Sequence, residues 1–210
     1  MPPEPIRPAT VHRIALWLKL AYSGFLAVMI PVYWVNYGPT NFLYFCDVAL
    51  LLTLVGMWRE DALLISLPAV GILLPQVLWC ADFLVQLCGG KMTGMTSYMF
   101  AADHSLFLRG LSLFHGWLPF LLLYLLRKTG YDQRALLGWT LLCIGLCLVA
   151  YFLLPPRDVN YVFGMDETKP QQWLPPLAYL GVWIAALTGI VFVPTHFLLK
   201  KIYPPAGNLS

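Results

Sequence analysis

The chain has 210 residues, of which 60% are hydrophobic and only 11% are charged, and its mean hydropathy is +0.72. Soluble domains are about 45–50% apolar and about 25% charged, so this composition excludes water as the main solvent of the folded chain. The formal net charge of +3 is small. It favours contact with anionic lipid head groups and gives no indication of nucleic-acid binding.

Six apolar segments are each suited to cross the roughly 30 Å hydrocarbon core of a bilayer, which takes about 20 helical residues. In chain order they are 14–34, 41–58, 62–87, 106–126, 135–154 and 174–199. They are continuously apolar, whereas the strands of a membrane barrel alternate in segments of about ten residues. The sequence therefore predicts an all-α fold, a polytopic bundle of six transmembrane helices that forms one integral membrane domain over residues 1–210.

The first segment is predicted to be a retained helix and not a cleaved signal peptide. It contains Lys19 within its apolar run, and bulky residues, Tyr33 and Trp34 among them, stand where a cleavage motif requires small side chains. The second segment is the shortest and has a polar start. Four aromatic residues near the span ends are expected to anchor the bundle at the membrane interfaces: Trp34, Tyr37, Trp58 and Trp173.

Basic residues are unevenly distributed between the two sides of the predicted bundle. With a cytoplasmic N-terminus, the inner side carries Arg7, Arg13, Arg59, Arg127, Lys128, Arg134, Lys200 and Lys201. The outer side then carries Lys91, Arg157 and Lys169. Because Lys and Arg accumulate in cytoplasmic loops, this distribution predicts that both termini are cytoplasmic, in a multi-pass protein of the bacterial inner membrane. The two longer connections, 88–105 and 155–173, then face outward.

Ionisable side chains occur inside the predicted spans, where a charge costs at least about 2.5 kcal/mol and therefore needs a reason. They are Cys46 and Asp47 on the second span, Asp82 on the third, and Arg109 and His115 on the fourth, with Lys19 and His196 on the first and sixth. Depth distinguishes those on the second, third and fourth spans. At about 1.5 Å per helical residue, the first three are expected at one shallow depth below the outer surface. Arg109 is expected just inside that surface and His115 near the midplane.

The fourth span also carries a stripe of polar and small residues at spacings of three and four: Ser105, Arg109, Ser112, His115, Gly116 and Pro119. Residues at these spacings share one helix face, and small residues favour contact between helices. In the third span, Pro75 is expected to kink the helix. Together these patterns predict an outward-facing, partly polar cavity lined by the second, third and fourth helices.

Three motifs follow one another along the chain. They are Phe45-Cys46-Asp47-Val48-Ala49-Leu50-Leu51, then Phe114-His115-Gly116 leading into residues 121–126, and then Asn160-Tyr161-Val162-Phe163 with Lys169-Pro170 and Trp173-Leu174-Pro175. In this order they resemble the YwaF-type family of six-helix membrane proteins. That family is related to a glycerophospholipid acyltransferase that uses Cys and His, and more distantly to hydrolases of fatty-acid esters that use Thr and His. The family has a His or similar polar residue where this chain has Phe45.

The resemblance implies that Cys46 is a nucleophile and His115 its base. A carboxylate, Asp82 or Asp47, would orient the imidazole, and Arg109 would balance charge or hold a phosphate or carboxylate head group. Acyl transfer or ester hydrolysis would then pass through a thioester on Cys46. Three residues are candidate donors to an oxyanion: Asn160, Tyr161 and Ser112.

Two classes of function stay open. One is a lipid acyltransferase or ester hydrolase whose Cys-His site faces the outer leaflet. The other is a non-catalytic protein that binds or transports a lipid or small ligand, with Asp47, Asp82 and Arg109 as a structural ion-pair network. The sequence has no Gly-rich phosphate loop, HExxH or GxSxG motif, and we expect no cofactor and no metal ion. Membrane lipids are the expected partners, and a homo-oligomer or membrane complex is left open.

Overall fold

The computed structural model describes residues 14–102, 104–154, 158–165 and 170–206. Within these residues the chain is helical, and its extended pairing is an isolated bridge between Tyr131 and Pro205. Five described segments are long and apolar enough to cross a membrane: Leu16–Tyr37, Ala62–Leu87, Leu106–Thr129, Ala135–Leu153 and Pro176–Ile202. The predicted all-α fold is therefore confirmed, and the five long helices fit a multi-pass integral membrane protein.

We number the α-helices in chain order. They are α1 (Leu16–Tyr37), α2 (Phe45–Arg59), α3 (Ala62–Leu87), α4 (Leu106–Ser112), α5 (Phe114–Thr129), α6 (Ala135–Leu153), α7 (Pro176–Ala186) and α8 (Val193–Ile202). Short 3₁₀ turns occupy Pro39–Leu43, Ser97–Met99 and Val159–Tyr161, and a π-helical stretch, Leu187–Phe192, joins α7 to α8.

The second predicted span differs most from its prediction. α2 begins at Phe45 and not at residue 41, and its 15 residues measure only about 22 Å at 1.5 Å per residue. The residues before it form the 3₁₀ turn Pro39–Leu43, with Pro39 in its first position, where the missing amide hydrogen of proline costs nothing. Among the described residues, five of the six predicted spans are long enough to cross a membrane, and α2 is shorter than the span predicted at 41–58.

Two other spans are interrupted. The fourth is divided into α4 and α5 at Leu113, whose ψ of −4° departs from α-helical geometry. The sixth contains the π-helical stretch directly before Pro194, which stands in the first turn of α8. Since proline cannot donate to the carbonyl one turn back, the wider π turn accommodates the missing bond.

α3 is the central helix of the bundle. It packs against α2, α5, α6 and α8, and 56% of its most apolar window is buried, against at most 33% for the other long helices. Asp61 starts it by accepting a hydrogen bond from the Leu64 amide at 2.9 Å, a typical N-cap. At the contact with α6, a Cβ on Gly71 would lie only 1.7 Å from the Trp139 ring. Glycine is therefore required for this close approach.

The outer surface of the bundle is strongly apolar. Large side chains stand out from every long helix, for example Val35 at 82%, Phe120 at 73%, Leu153 at 72% and Ile190 at 72% exposure. Soluble monomers rarely expose contiguous apolar surface on this scale. These side chains are placed where lipid tails would cover them.

The bundle has two unlike ends. The loop-rich end is formed by connection 38–44 and by the described residues of connections 88–105 and 154–175. The short-loop end is formed by connections 60–61 and 130–134 together with residues 203–206. At the short-loop end, Lys19 forms an ion pair with Glu60 at 2.6 Å, and the Tyr131 hydroxyl shares a 2.7 Å hydrogen bond with Nδ1 of His196. Arg134 there donates to both oxygens of Asp132, which holds the pKa of that carboxyl below its usual value.

The basic residues used to predict orientation fall at these two ends. The short-loop end carries Arg59, Arg127, Lys128, Arg134, Lys200 and Lys201, and Lys91 lies in a loop-rich connection. Arg7, Arg13, Arg157 and Lys169 lie outside the described residues. The orientation of the bundle stays a prediction.

Candidate functional site

A cavity of about 400 Å³ lies at the loop-rich end of the bundle, and we refer to it as the end cavity. Helices α1 to α5 and all three loop-rich connections contribute to its wall. Five tyrosines line it: Tyr33, Tyr37, Tyr44, Tyr98 and Tyr161. Its ionisable lining residues, apart from these tyrosines, are Cys46, Asp47, His104, His115 and Asp158. The volume and mixed lining are those of a small-molecule site.

The end cavity brings together most of the residues predicted from the sequence. Cys46, Asp47, Ser112, His115 and Tyr161 line it. Asp82, Arg109 and Asn160 do not belong to its lining, and each instead holds a segment of chain beside it.

Asp47 stands in the first turn of α2 and is 3% exposed. Its Oδ2 accepts hydrogen bonds from Asn41 Nδ2 at 3.2 Å and from the Cys46 thiol at 3.8 Å. Its Oδ1 is buried and has no partner among the described residues. Since nearly all buried polar groups are hydrogen-bonded, this oxygen marks a position where a donor belongs.

His115 is held in a fixed orientation in the first turn of α5. Its Nδ1 lies 2.8 Å from the carbonyl oxygen of Ser112, and because a carbonyl only accepts, Nδ1 carries the proton and Nε2 is the acceptor of the neutral ring. The ring stacks against Trp79 at 4.8 Å and Phe114 at 4.0 Å between centroids. The neutral imidazole can therefore receive a proton only at Nε2.

The thiol of Cys46 and the ring of His115 share this cavity, but no hydrogen bond joins them. The thiol is directed at Asp47 Oδ2, and a carboxylate beside it works against thiolate formation. A nucleophile and base are expected within hydrogen-bond reach of each other. In this conformation the two residues face one cavity without forming that pair.

Asp82 organises the connection 88–105. Its two oxygens accept six hydrogen bonds, from the Gln86 side chain, the amide and hydroxyl groups of Thr93 and Thr96, and the Gly94 amide. None of these bonds goes to His115, whose imidazole Asp82 or Asp47 was predicted to orient. The anchored connection supplies Met95 and Tyr98 to the end cavity. Asp82 thus positions part of the cavity wall without lining the cavity itself.

Arg109 has a similar part in the wall. Its guanidinium donates to the carbonyl oxygens of His104 at 2.9 Å and Ala101 at 2.5 Å. It fixes the end of the connection 88–105 and does not line the cavity as a head-group ligand. No ion pair joins Arg109, Asp82 and Asp47 to one another, so the ion-pair network considered from the sequence is not formed.

Asn160 connects the third motif to the first. Its side-chain oxygen accepts from the Phe45 amide at 3.0 Å, and its side-chain nitrogen donates to the Leu43 carbonyl at 2.9 Å. The residue has a left-handed φ of 62°, which asparagine tolerates better than most residues. Asn160 therefore fixes the start of α2, where Cys46 and Asp47 stand, and its amide is not directed at an oxyanion.

Apart from Tyr161, the tyrosines of the wall were not predicted as site residues from the sequence. The Tyr33 hydroxyl shares a 2.8 Å hydrogen bond with Ser112 Oγ, and Trp79 Nε1 donates to the Tyr98 hydroxyl at 3.3 Å. Burial raises the pKa of Tyr98, so it stays a hydroxyl. Tyr37 stacks on His104 in the cavity wall, although it was expected at the membrane interface. The i, i+4 spacing of Tyr33 and Tyr37 was the available signal.

Comparison of the chain with protein-family models, with curated proteins and with solved structures gave no match.

We expect Asp82→Asn to loosen the connection 88–105, because an amide has one acceptor oxygen and places donors against backbone amides. Each lost hydrogen bond to the carboxylate contributes about 1.5–3 kcal/mol. In detergent, the variant should unfold at a lower temperature and trypsin should cleave faster after Lys91, which is exposed in that connection. Gln86→Ala removes one of the bonds and should have a much smaller effect. Unchanged cleavage in Asp82→Asn would contradict this role.

Proposed function

We propose that this chain is a multi-pass protein of the bacterial inner membrane that binds a small ligand or a lipid in the end cavity. The supporting observation is the buried, unpartnered oxygen of Asp47 in the wall of a 400 Å³ cavity. Polar groups inside a membrane bundle are costly and concentrate along ligand and ion pathways. A ligand that donates to Oδ1 of Asp47 accounts for the one carboxylate oxygen that no described residue satisfies.

The proposed topology has six crossings with both termini in the cytoplasm. α2 contributes about 22 Å, and the preceding turn Pro39–Leu43 adds about 10 Å at 2.0 Å per residue. Together they match the hydrocarbon thickness. The basic residues of the short-loop end, such as Arg127 and Lys200, favour the cytoplasmic side for that end. The end cavity then opens toward the outer leaflet.

Reporter fusions test this topology. A phosphatase that is active only outside the cytoplasm is expected to be active when fused after residues 40 and 95 and inactive after residues 60 and 132. The pair at 40 and 60 isolates α2, because equal activity at both positions would mean that α2 does not cross. The reversed pattern at all four positions would mean the opposite orientation.

Filling the end cavity should abolish ligand binding. Cys46→Phe introduces a large side chain into the lining, whereas Cys88→Phe is a matched change at an exposed cysteine of the connection. Native mass spectrometry of protein extracted with its own lipids is expected to show a bound molecule on the wild type and on Cys88→Phe, and none on Cys46→Phe. A molecule retained equally by Cys46→Phe would place the ligand elsewhere.

A second candidate function is lipid acyl transfer or ester hydrolysis. It is favoured by the acceptor nitrogen of His115, which is oriented by Ser112 and lines the same cavity as Cys46. The thiol would turn from Asp47 and give its proton to Nε2, and the sulfur would attack an ester carbonyl. The ester C–O bond breaks, the leaving alcohol takes the proton from His115, and a second alcohol or water releases the acyl group from sulfur.

We expect this chemistry, if the chain performs it, to depend on both side chains. Lipid analysis of cells with matched protein levels should then show lost turnover for Cys46→Ala and for His115→Ala, and a lipid-like thiol-reactive probe should label Cys46. Cys80→Ala is the control, since Cys80 contacts the His115 carbonyl but does not line the cavity. Unchanged lipids in both variants would leave ligand binding as the function.

A further inference from the structure

The open acceptor in the end cavity is a carboxylate oxygen. Asp47 uses Oδ2 for Asn41 and Cys46 and leaves Oδ1 buried and without a partner among the described residues. An ionised carboxylate in a low-dielectric site is costly unless an opposite charge or strong donors accompany it. The partner that belongs at Oδ1 is therefore a hydrogen-bond donor, and a charged donor would stabilise it most.

The described residues of the cavity wall do not supply that charge through Lys or Arg. Asp47 lines the cavity, and no Lys or Arg is among the described lining residues. Arg109 of α4, the helix that contributes Ser112 to the cavity, is directed at the carbonyls of Ala101 and His104. His115 donates to Ser112 through Nδ1 and presents only an acceptor when neutral. The described wall therefore favours a cationic guest over an anionic one.

The rest of the wall suits the organic part of such a guest. Tyrosines line the cavity beside Asp47, Tyr33 and Tyr161 among them, and aromatic rings attract ammonium groups and the carbon atoms attached to them. A quaternary ammonium has no N–H and would leave Oδ1 unsatisfied. A group that carries both a positive charge and an N–H donor satisfies the carboxylate oxygen and the aromatic wall together.

We propose that the end cavity binds a protonated amine, whose N–H donates to Oδ1 of Asp47. This inference rests on the proposed ligand-binding function and names the chemistry of the ligand. A free organic amine and the ethanolamine head group of a phospholipid share this chemistry. The position of the cavity at one end of an apolar bundle gives access to both sources.

The direct test compares two probes of similar size on the wild-type protein. In nanodiscs of phosphatidylcholine, calorimetric titration with propylammonium should show saturable binding, and the neutral 1-propanol should bind at least tenfold more weakly. This comparison needs no variant and is independent of folding. Equal binding of the two probes overturns the amine inference, yet it leaves a ligand-binding cavity in place.

Two variants test whether the carboxylate of Asp47 is the charge that binds propylammonium. Asp47→Asn keeps the shape and removes the charge, and it should lower the affinity for propylammonium at least tenfold. Asp132→Asn, at the short-loop end, should bind like the wild type. Undiminished binding by a folded Asp47→Asn would overturn the inference. If Asp47→Asn fails to fold, the two-probe comparison on the wild type decides.

A competition experiment with lipids distinguishes a free organic amine from the ethanolamine head group of a phospholipid. If the amine comes from a lipid, nanodiscs with phosphatidylethanolamine should compete with propylammonium, whereas pure phosphatidylcholine should not. Binding of propylammonium without competition from phosphatidylethanolamine indicates a free amine. Failure of both propylammonium and phosphatidylethanolamine to bind overturns the inference, even where Cys46→Phe shows that another molecule occupies the cavity.

Discussion

A polar group inside an apolar bundle has no water to bond with and must find its partners within the chain. Three residues near the loop-rich end meet this requirement by holding backbone: Asp82 gathers the amides of residues 93–96, Arg109 holds two carbonyls, and Asn160 clasps the start of α2. Their polar side chains form hydrogen bonds that hold non-helical segments in place beside the long helices. Asp47 differs from them, because one of its oxygens is left over. The segments that these three residues hold in place form part of the wall of the end cavity.

Long apolar runs made much of the fold predictable. The third span was expected at 62–87 and is Ala62–Leu87, and the fifth was expected at 135–154 and is Ala135–Leu153. Continuous hydrophobicity defines both spans. The second span could not be bounded in this way, because hydropathy does not distinguish a 3₁₀ turn from an α-helix. Local backbone geometry produces the break at Leu113 and the π-helical stretch before Pro194. Average hydropathy does not report backbone geometry, so it could not predict either interruption.

The same contrast applies to the site. Cys46, Asp47 and His115 were predicted to converge because polar residues inside spans are rare and their depths could be counted along straight helices, and they do line one cavity. The partners of Asp82 and Arg109 could not be predicted, because both bind the irregular connection 88–105. This connection has no regular spacing of residues from which contacts could be inferred. Tyr33 and Tyr37 were overlooked because aromatic residues near a span end are usually assigned to the interface.

The clasp between Asn160 and the start of α2 has a consequence for the order of assembly. Asn160 lies 117 positions after Leu43 and 115 positions after Phe45, the two residues that it joins. Helices of a membrane protein are synthesised from the N-terminus onward, so α2 is made long before the residue that secures its first turn. Cys46 and Asp47 acquire their final positions only after α6 has been made and the following turn has docked. The wall of the end cavity is thus completed late in biogenesis, after most of the chain has been synthesised.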